Sequence, residues 1–285
     1  MGAAAATAKA EKAVALVDLP PFPAIAIKAL QLVSNSDARL RELHHLISAD
    51  PALSTGILRM ANSPLYAIHA EIQSTLQAAI LMGFERVRAL VLTIAMKSYV
   101  GGSLVDPTMR LCWRHSIACA MIAEEFALAT FLDKDTAYTA GLMHDIGRLA
   151  LVVLRPVQYG EILKKVALEG SDLLVEEKTT FGFDHCQAGQ ALVAAWNLPQ
   201  HFALIAGEHH IESKRQLKPL GILQAVAIAC AIADVTGFEV LRPVNATPYD
   251  ALLRYVPPDR RDRFPVDPLE LTKRISDKIE LIEMP

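Results

Sequence analysis

The sequence predicts an all-α protein, and three observations carry that prediction. Apolar residues recur three and four positions apart along most of the chain, the spacing of helices with one buried face. Glycine is sparse, at 14 of 285 residues, and aromatic residues make up only 6%, whereas a β-sandwich would draw on more β-branched and aromatic side chains. No stretch sustains the two-residue alternation of a half-exposed strand. An apolar fraction of 52% with 21% charged residues is ordinary for a globular protein. The length allows one large core or two ordinary ones.

The elements follow in order. Residues 1–17 read as a loosely ordered leader. Leu19-Pro20-Pro21-Phe22-Pro23 must be extended, because each proline fixes φ and disfavours helix in the residue before it. Ile25, Ile27, Ala29, Leu30 and Val33 mark a helix that ends at Ser34-Asn35-Ser36-Asp37, and a second runs from Leu40 to Ile47. Asp50-Pro51 opens a third, an N-cap followed by proline at the first helical position. It carries Leu53, Ile57, Leu58 and Met60 and stops at Asn62-Ser63-Pro64. Residues 75–81 and 84–96 form two more helices, with Gly83 as the joint.

Gly101-Gly102 and Pro107 separate this half from the next, so units over 18–104 and 105–240 are expected. Within the second, helices are expected over 108–131, 134–154, 157–168, 172–179, 184–195, 199–211 and 218–236. Residues 241–285 form a tail interrupted by Pro243, Pro248, Pro257, Pro258 and Pro265, in which Arg260-Arg261-Asp262-Arg263 reads as a solvated turn. The tail closes on an amphipathic helix over 267–282, with Leu269, Leu271, Ile275, Ile279 and Ile282.

Charge and composition exclude several classes. With 28 basic against 31 acidic residues, no nucleic-acid partner is expected, since backbone binders carry a basic excess. The most apolar stretch, Leu220 to Ala233, is interrupted by Gln224 and falls short of the roughly 20 residues of a membrane span. The opening MGAAAATAKAEK has no continuous apolar segment or cleavage site, so no secretory signal is expected. Cys112, Cys119, Cys186 and Cys230 occur singly, without a CxxC pair, and read as reduced core thiols. A soluble cytoplasmic protein is the expectation.

The sharpest local signal is Gly141-Leu142-Met143-His144-Asp145-Ile146-Gly147. A His-Asp pair inside an apolar helix is costly to bury unless something satisfies it. Imidazole and carboxylate together suit a divalent transition metal. His115, His185, His209, His210 and Asp234 are further candidates, in helical neighbourhoods of small apolar residues. They lie roughly 25 to 40 residues apart, about one helical hairpin, and a helical bundle can turn such positions into one core.

The run His115, His144-Asp145-Ile146-Gly147, His185, His209-His210 and Asp234 resembles the HD superfamily of metal-dependent phosphohydrolases. Three stretches are similar to HDOD domains in particular. They are Asp50-Pro51-Ala52-Leu53 leading to Ala61-Asn62-Ser63-Pro64-Leu65-Tyr66, then Leu81-Met82-Gly83-Phe84-Glu85-Arg86-Val87, then Trp196-Asn197-Leu198-Pro199. The resemblance covers residues 18–237. It implies an HD-type helical bundle with an additional N-terminal helical subdomain.

It also implies a site. His115, His144, Asp145 and Asp234 would hold one divalent ion, and His185, His209 and His210 would complete a second, with Asp145 bridging. Iron, manganese or a similar ion fits such ligands. Asp145 and Arg148 take the catalytic positions, Arg148 steadying a phosphate oxygen. The implied role is bacterial signalling or regulation through a protein partner or a small phosphorylated ligand. The alternative is a metal-dependent phosphohydrolase acting on a nucleotide or related phosphoester.

Two departures count against cyclic-di-GMP hydrolysis. The Gly-Tyr-Pro signature of HD-GYP phosphodiesterases is absent, His210 being followed by Ile211-Glu212-Ser213-Lys214. Arg148 stands where lysine often follows HDIG, a forked donor in place of a compact point charge. Of the other histidines, His44 and His45 read as surface or interface residues, and His69 and His201 as solvated. Trp113 and Trp196 read as core anchors.

Overall fold

Cap chemistry sets the helix starts. In the computed structural model, Asp50 accepts hydrogen bonds from the backbone N–H groups of Ala52 and Leu53 at 2.9 and 3.0 Å, and Asp106 accepts from Thr108 and Met109. Each aspartate precedes a proline whose missing N–H costs the first turn nothing. The structure describes residues 22–32, 37–66, 71–210, 220–243 and 245–283. The leader, the turn at 34–36 and His69 lie outside them.

Among the described residues the chain forms fifteen α-helices and no strand. The first half comprises α1 (Ala24–Gln31), α2 (Asp37–Ser48), α3 (Pro51–Ala61), α4 (Thr75–Met82) and α5 (Phe84–Gly101). The second comprises α6 (Pro107–Ala129), α7 (Lys134–Met143), α8 (Ile146–Leu154), α9 (Pro156–Glu169), α10 (Leu173–Phe181), α11 (His185–Ala195), α12 (Gln200–Glu208) and α13 (Ile222–Val235). Two more complete the chain, α14 (Tyr249–Leu252) and α15 (Pro268–Glu283). No helix among the described residues is long and apolar enough to cross a membrane.

Helix α6 is the axis of the second half. It is buried along most of its length, with Trp113 and Phe126 fully covered, as a helix apolar nearly all round must be. It packs on α7 and α13, while α11 packs on α8 and α12. In the first half α1, α3 and α4 rest on α5, which in turn meets α7. Phe22 stacks on Trp196 at 4.6 Å, with Tyr99 edge-on to both, tying the two halves together. His44 bonds Thr75 at 2.8 Å, joining α2 to α4, whereas His45 and His201 are exposed.

Three expectations are corrected. The single helix expected over 134–154 is two, broken at His144-Asp145. Each part must approach a different neighbour closely. A Cβ on Gly141 would lie 2.8 Å from Ala120 Cα, and one on Gly147 would strike the backbone of His185 and Gly189. The chain therefore turns between them. The histidines expected within helices mostly stand at helix ends: only His115 is mid-helix, His144 and His209 are C-caps, His185 begins α11 and His210 follows α12. The tail departs in two residues. Leu269 is 74% exposed while Leu271, Ile275, Ile279 and Ile282 are buried. Arg260 is not simply solvated; its guanidinium covers the Phe131 ring at 4.1 Å and donates to Leu128 O.

Candidate metal centre

Asp145, fully buried at the start of α8, is the centre of the site. Four imidazoles from four other helices turn their Nε2 atoms toward it. The distances are 3.9 Å for His115 and 3.7 Å for His144, both to Oδ2, and 3.5 Å for His185 and 3.3 Å for His209, both to Oδ1.

The opposite edge of each ring is anchored. His115 Nδ1 faces Phe238 O at 2.9 Å, His144 Nδ1 faces Gly141 O at 2.6 Å and His209 Nδ1 faces Ala206 O at 3.1 Å. His185 Nδ1 faces both oxygens of Glu177, at 2.8 and 2.9 Å. A carbonyl or carboxylate can only accept, so in the neutral ring each Nδ1 carries the proton and each Nε2 presents a lone pair. Glu177, itself buried, also accepts from His185 N–H and Tyr159 O–H. A carboxylate behind an imidazole fixes its orientation and tautomer.

The result is a surplus of acceptors. His144 Nε2, His209 Nε2 and both Asp145 oxygens are buried without a hydrogen-bond partner. Leaving a buried polar group unsatisfied costs about 1–3 kcal/mol. A cation among them would satisfy all four atoms, so these residues fit a divalent metal by their chemistry as well as their type.

Residues 19–212 match the family model of the HDOD domain. The chain belongs to the HDOD family. A curated relative, an uncharacterized protein of Treponema pallidum (strain Nichols), is 24% identical over 217 residues, covering 74% of this chain and 41% of the relative. The chain thus spans less than half the length of that relative. An HDOD domain protein of unknown function from Geobacter sulfurreducens superposes with a TM-score of 0.68 at 24% identity, over 93% of this chain and 91% of the other. A candidate phosphohydrolase from Shewanella amazonensis SB2B superposes with a TM-score of 0.65 at 23% identity, over 95% of each. Both likenesses are of fold.

In this HDOD protein Arg148 also contacts Asp145, at the oxygen that His115 and His144 face. Its Nε lies 3.1 Å from Asp145 Oδ2 and its NH2 group 3.3 Å from His185 Nε2. His210, exposed, brings its Nε2 to 2.8 Å from the same His185 nitrogen. Asp234 stands apart: its Oδ1 is 3.8 Å from His115 Nδ1, the ring edge turned away from Asp145, and its side chain is 31% exposed. So His115, His144, Asp145, His185 and His209 converge, Arg148 and His210 border them on one side, and Asp234 lies behind His115.

Electrostatics follow from this arrangement. Burial works to raise the Asp145 pKa, but Arg148 and the surrounding imidazoles prevail and hold it well below the carboxylate range. Burial works to lower His144, yet Asp145 and Cys230 carry it above its ordinary value. His209 is pushed down to about 4, chiefly by burial, which favours the neutral ring.

Two residues escaped the reading of the sequence. Glu177 has no short-range pattern linking it to His185, eight positions on, and only the fold joins them. Cys230, whose Sγ lies 3.5 Å from His115 Nε2, had a signal: it sits one helical turn before Asp234 and shares its face.

Proposed function

We propose that this HDOD protein is a regulatory module whose buried centre holds one divalent metal ion, with Arg148 standing where a second would be. The observation that carries this reading is the set of acceptors without a hydrogen-bond partner on His144, Asp145 and His209, with the Arg148 guanidinium already in ion-pair contact with Asp145. His115, His144, Asp145 and His209 would hold the ion. Toward His185 and His210, Arg148 already supplies a fixed positive charge, and a second cation beside it would be repelled.

An ion in this position supplies Lewis acidity and, because its ligands come from α6, α7, α8 and α12, favours the packing in which they converge. Asp145, His115, His144, His185 and His209 are all buried, which supports a structural signal over open turnover. The helices of 18–104 and the tail at 241–285 would offer surface to a protein partner.

A second reading, hydrolysis of a nucleotide or related phosphoester, is favoured by one feature. His210 is exposed while its ring reaches His185, giving a polar route from the surface toward Arg148. In that case Asp145 would help hold the ion and Arg148 would bind a phosphate oxygen as a forked donor.

Elemental analysis of protein purified without oxygen tests the first reading, with His144→Ala beside it. About one ion per chain, lost in the variant, is the expected result. Two ions per chain would remove the role given to Arg148, and no ion after loading with iron or manganese would remove the metal. Hydrolysis of bis(p-nitrophenyl) phosphate that disappears in His144→Ala would put the second reading first.

A further inference from the structure

We infer that Cys230 Sγ is a ligand of that ion, making the centre a mixed imidazole, carboxylate and thiolate site. This rests on the metal reading above and adds a donor of a different chemical kind.

The rotation of α13 sets Cys230 and Asp234 on different edges of His115. A helix advances about 100° per residue, so positions four apart lie on one face and only one of them need point at a given neighbour. Cys230 and Asp234 are such a pair. Asp234 approaches His115 from its Nδ1 edge at 3.8 Å, where Phe238 O already takes the proton. Cys230 approaches from the Nε2 edge at 3.5 Å, the edge that faces Asp145. The donor atoms of His115, His144 and Cys230 all lie within 4.8 Å of one another. Into the same space His144 directs an Nε2 that is buried and has no hydrogen-bond partner.

A thiol that merely filled core volume would need none of these neighbours. As a neutral S–H group Cys230 can donate to one lone pair, that of His115, and leaves His144 unsatisfied. As a thiolate it shares a cation with both. Coordination replaces the S–H bond with a sulfur–metal bond and releases the proton to solvent, since a coordinating thiol is deprotonated by the metal. Sulfur also changes the choice of ion: a soft donor favours zinc, cobalt and ferrous iron over manganese and magnesium.

Cobalt(II) titration of the metal-free, full-length protein under anaerobic conditions is the test. The expected result is a near-ultraviolet thiolate-to-cobalt charge-transfer band that saturates with binding. It should vanish in Cys230→Ser and persist in Cys119→Ser and Cys186→Ser. Zinc affinity in Cys230→Ser should fall by about tenfold or more, with manganese affinity nearly unchanged. Cobalt binding without the band, or a band that survives Cys230→Ser, would overturn the thiolate and leave the metal reading standing. No cobalt binding at all would overturn both. Should Cys230→Ser fail to fold, the combined Cys112→Ser, Cys119→Ser and Cys186→Ser variant leaves Cys230 as the only thiol of the four, and presence or absence of the band decides the question.

Discussion

Two of the polar clusters between helices of this protein contrast with one another, and only one of them has the donor set of a metal site. In the first, Arg86 on α5 pairs with Glu124 on α6 and, at 3.3 Å, with Asp135 on α7, while its guanidinium lies 5.8 Å from the Tyr66 ring. Each charged end has a counter-charge in reach, and the three side chains keep 17–18% of their surface in solvent, although Asp135 Oδ1 is itself buried without a hydrogen-bond partner. In the second, Asp145 and Arg148 balance in charge. There the balance does not extend to hydrogen bonds, because four imidazoles turn lone pairs inward and the whole group is dry. The first cluster sets one guanidinium against two carboxylates, whereas Asp145 and Arg148 pair one to one. The fit to a cation comes from the inventory of donors and acceptors: around Asp145 four buried acceptor atoms without a hydrogen-bond partner share one place, against Asp135 Oδ1 in the first cluster.

Asp145→Asn should break the comparison hardest. It keeps the shape of the side chain but leaves the buried Arg148 guanidinium without a counter-ion. Stability of the metal-free protein should fall by about 3–5 kcal/mol in chemical denaturation, and bound metal should be lost as well. A variant as stable as the parent would mean that Arg148 does not depend on Asp145.

Glu177→Gln comes next, since it removes the charge behind His185 without touching the proposed ligands. The loss should be about 1.5–3 kcal/mol at neutral pH, the range for hydrogen bonds to charged groups, with metal content kept. Its pH dependence has a definite sign. Burial works to raise the Glu177 pKa, but His185, Arg148 and Tyr159 outweigh it and hold the carboxyl below its ordinary value. A depressed folded pKa gives stability that is present above the unfolded value of about 4.3 and disappears as pH falls through the folded one. Denaturation of parent and variant should therefore differ at pH 7 and converge in acid. An equal gap at both extremes would show that Glu177 acts by shape alone.

Glu124→Gln should have the smallest effect, about 1 kcal/mol or less, because the Arg86 pair is partly solvated. Metal content should not change. A drop larger than that of Asp145→Asn would reverse the order of the two clusters.

Helices and caps were legible in the sequence because both depend on neighbours within one turn. The 3.6-residue period, Asp50-Pro51 and Gly83 needed no knowledge of the rest of the chain. The same local logic failed at His144-Asp145, where apolar spacing runs on without interruption across 134–154. The break there is imposed by Gly141 meeting α6 and Gly147 meeting α11, contacts no local pattern contains.

For the centre, the sequence offered His115, His144, Asp145, His185, His209, His210 and Asp234, because histidine and aspartate are expensive among apolar residues, and the fold brings only the first five together around Asp145. The sequence could not say which edge of each ring would face inward. That choice depends on the rotation of each helix about its own axis, and a shift of one position is worth about 100°. Tertiary packing made the choice. It turned Cys230 toward His115 Nε2 and Asp234 toward Nδ1, set Glu177 behind His185, and laid Arg148 against Asp145. Residue chemistry is a property of the chain, whereas the direction in which a side chain points is decided by the helices packed against it.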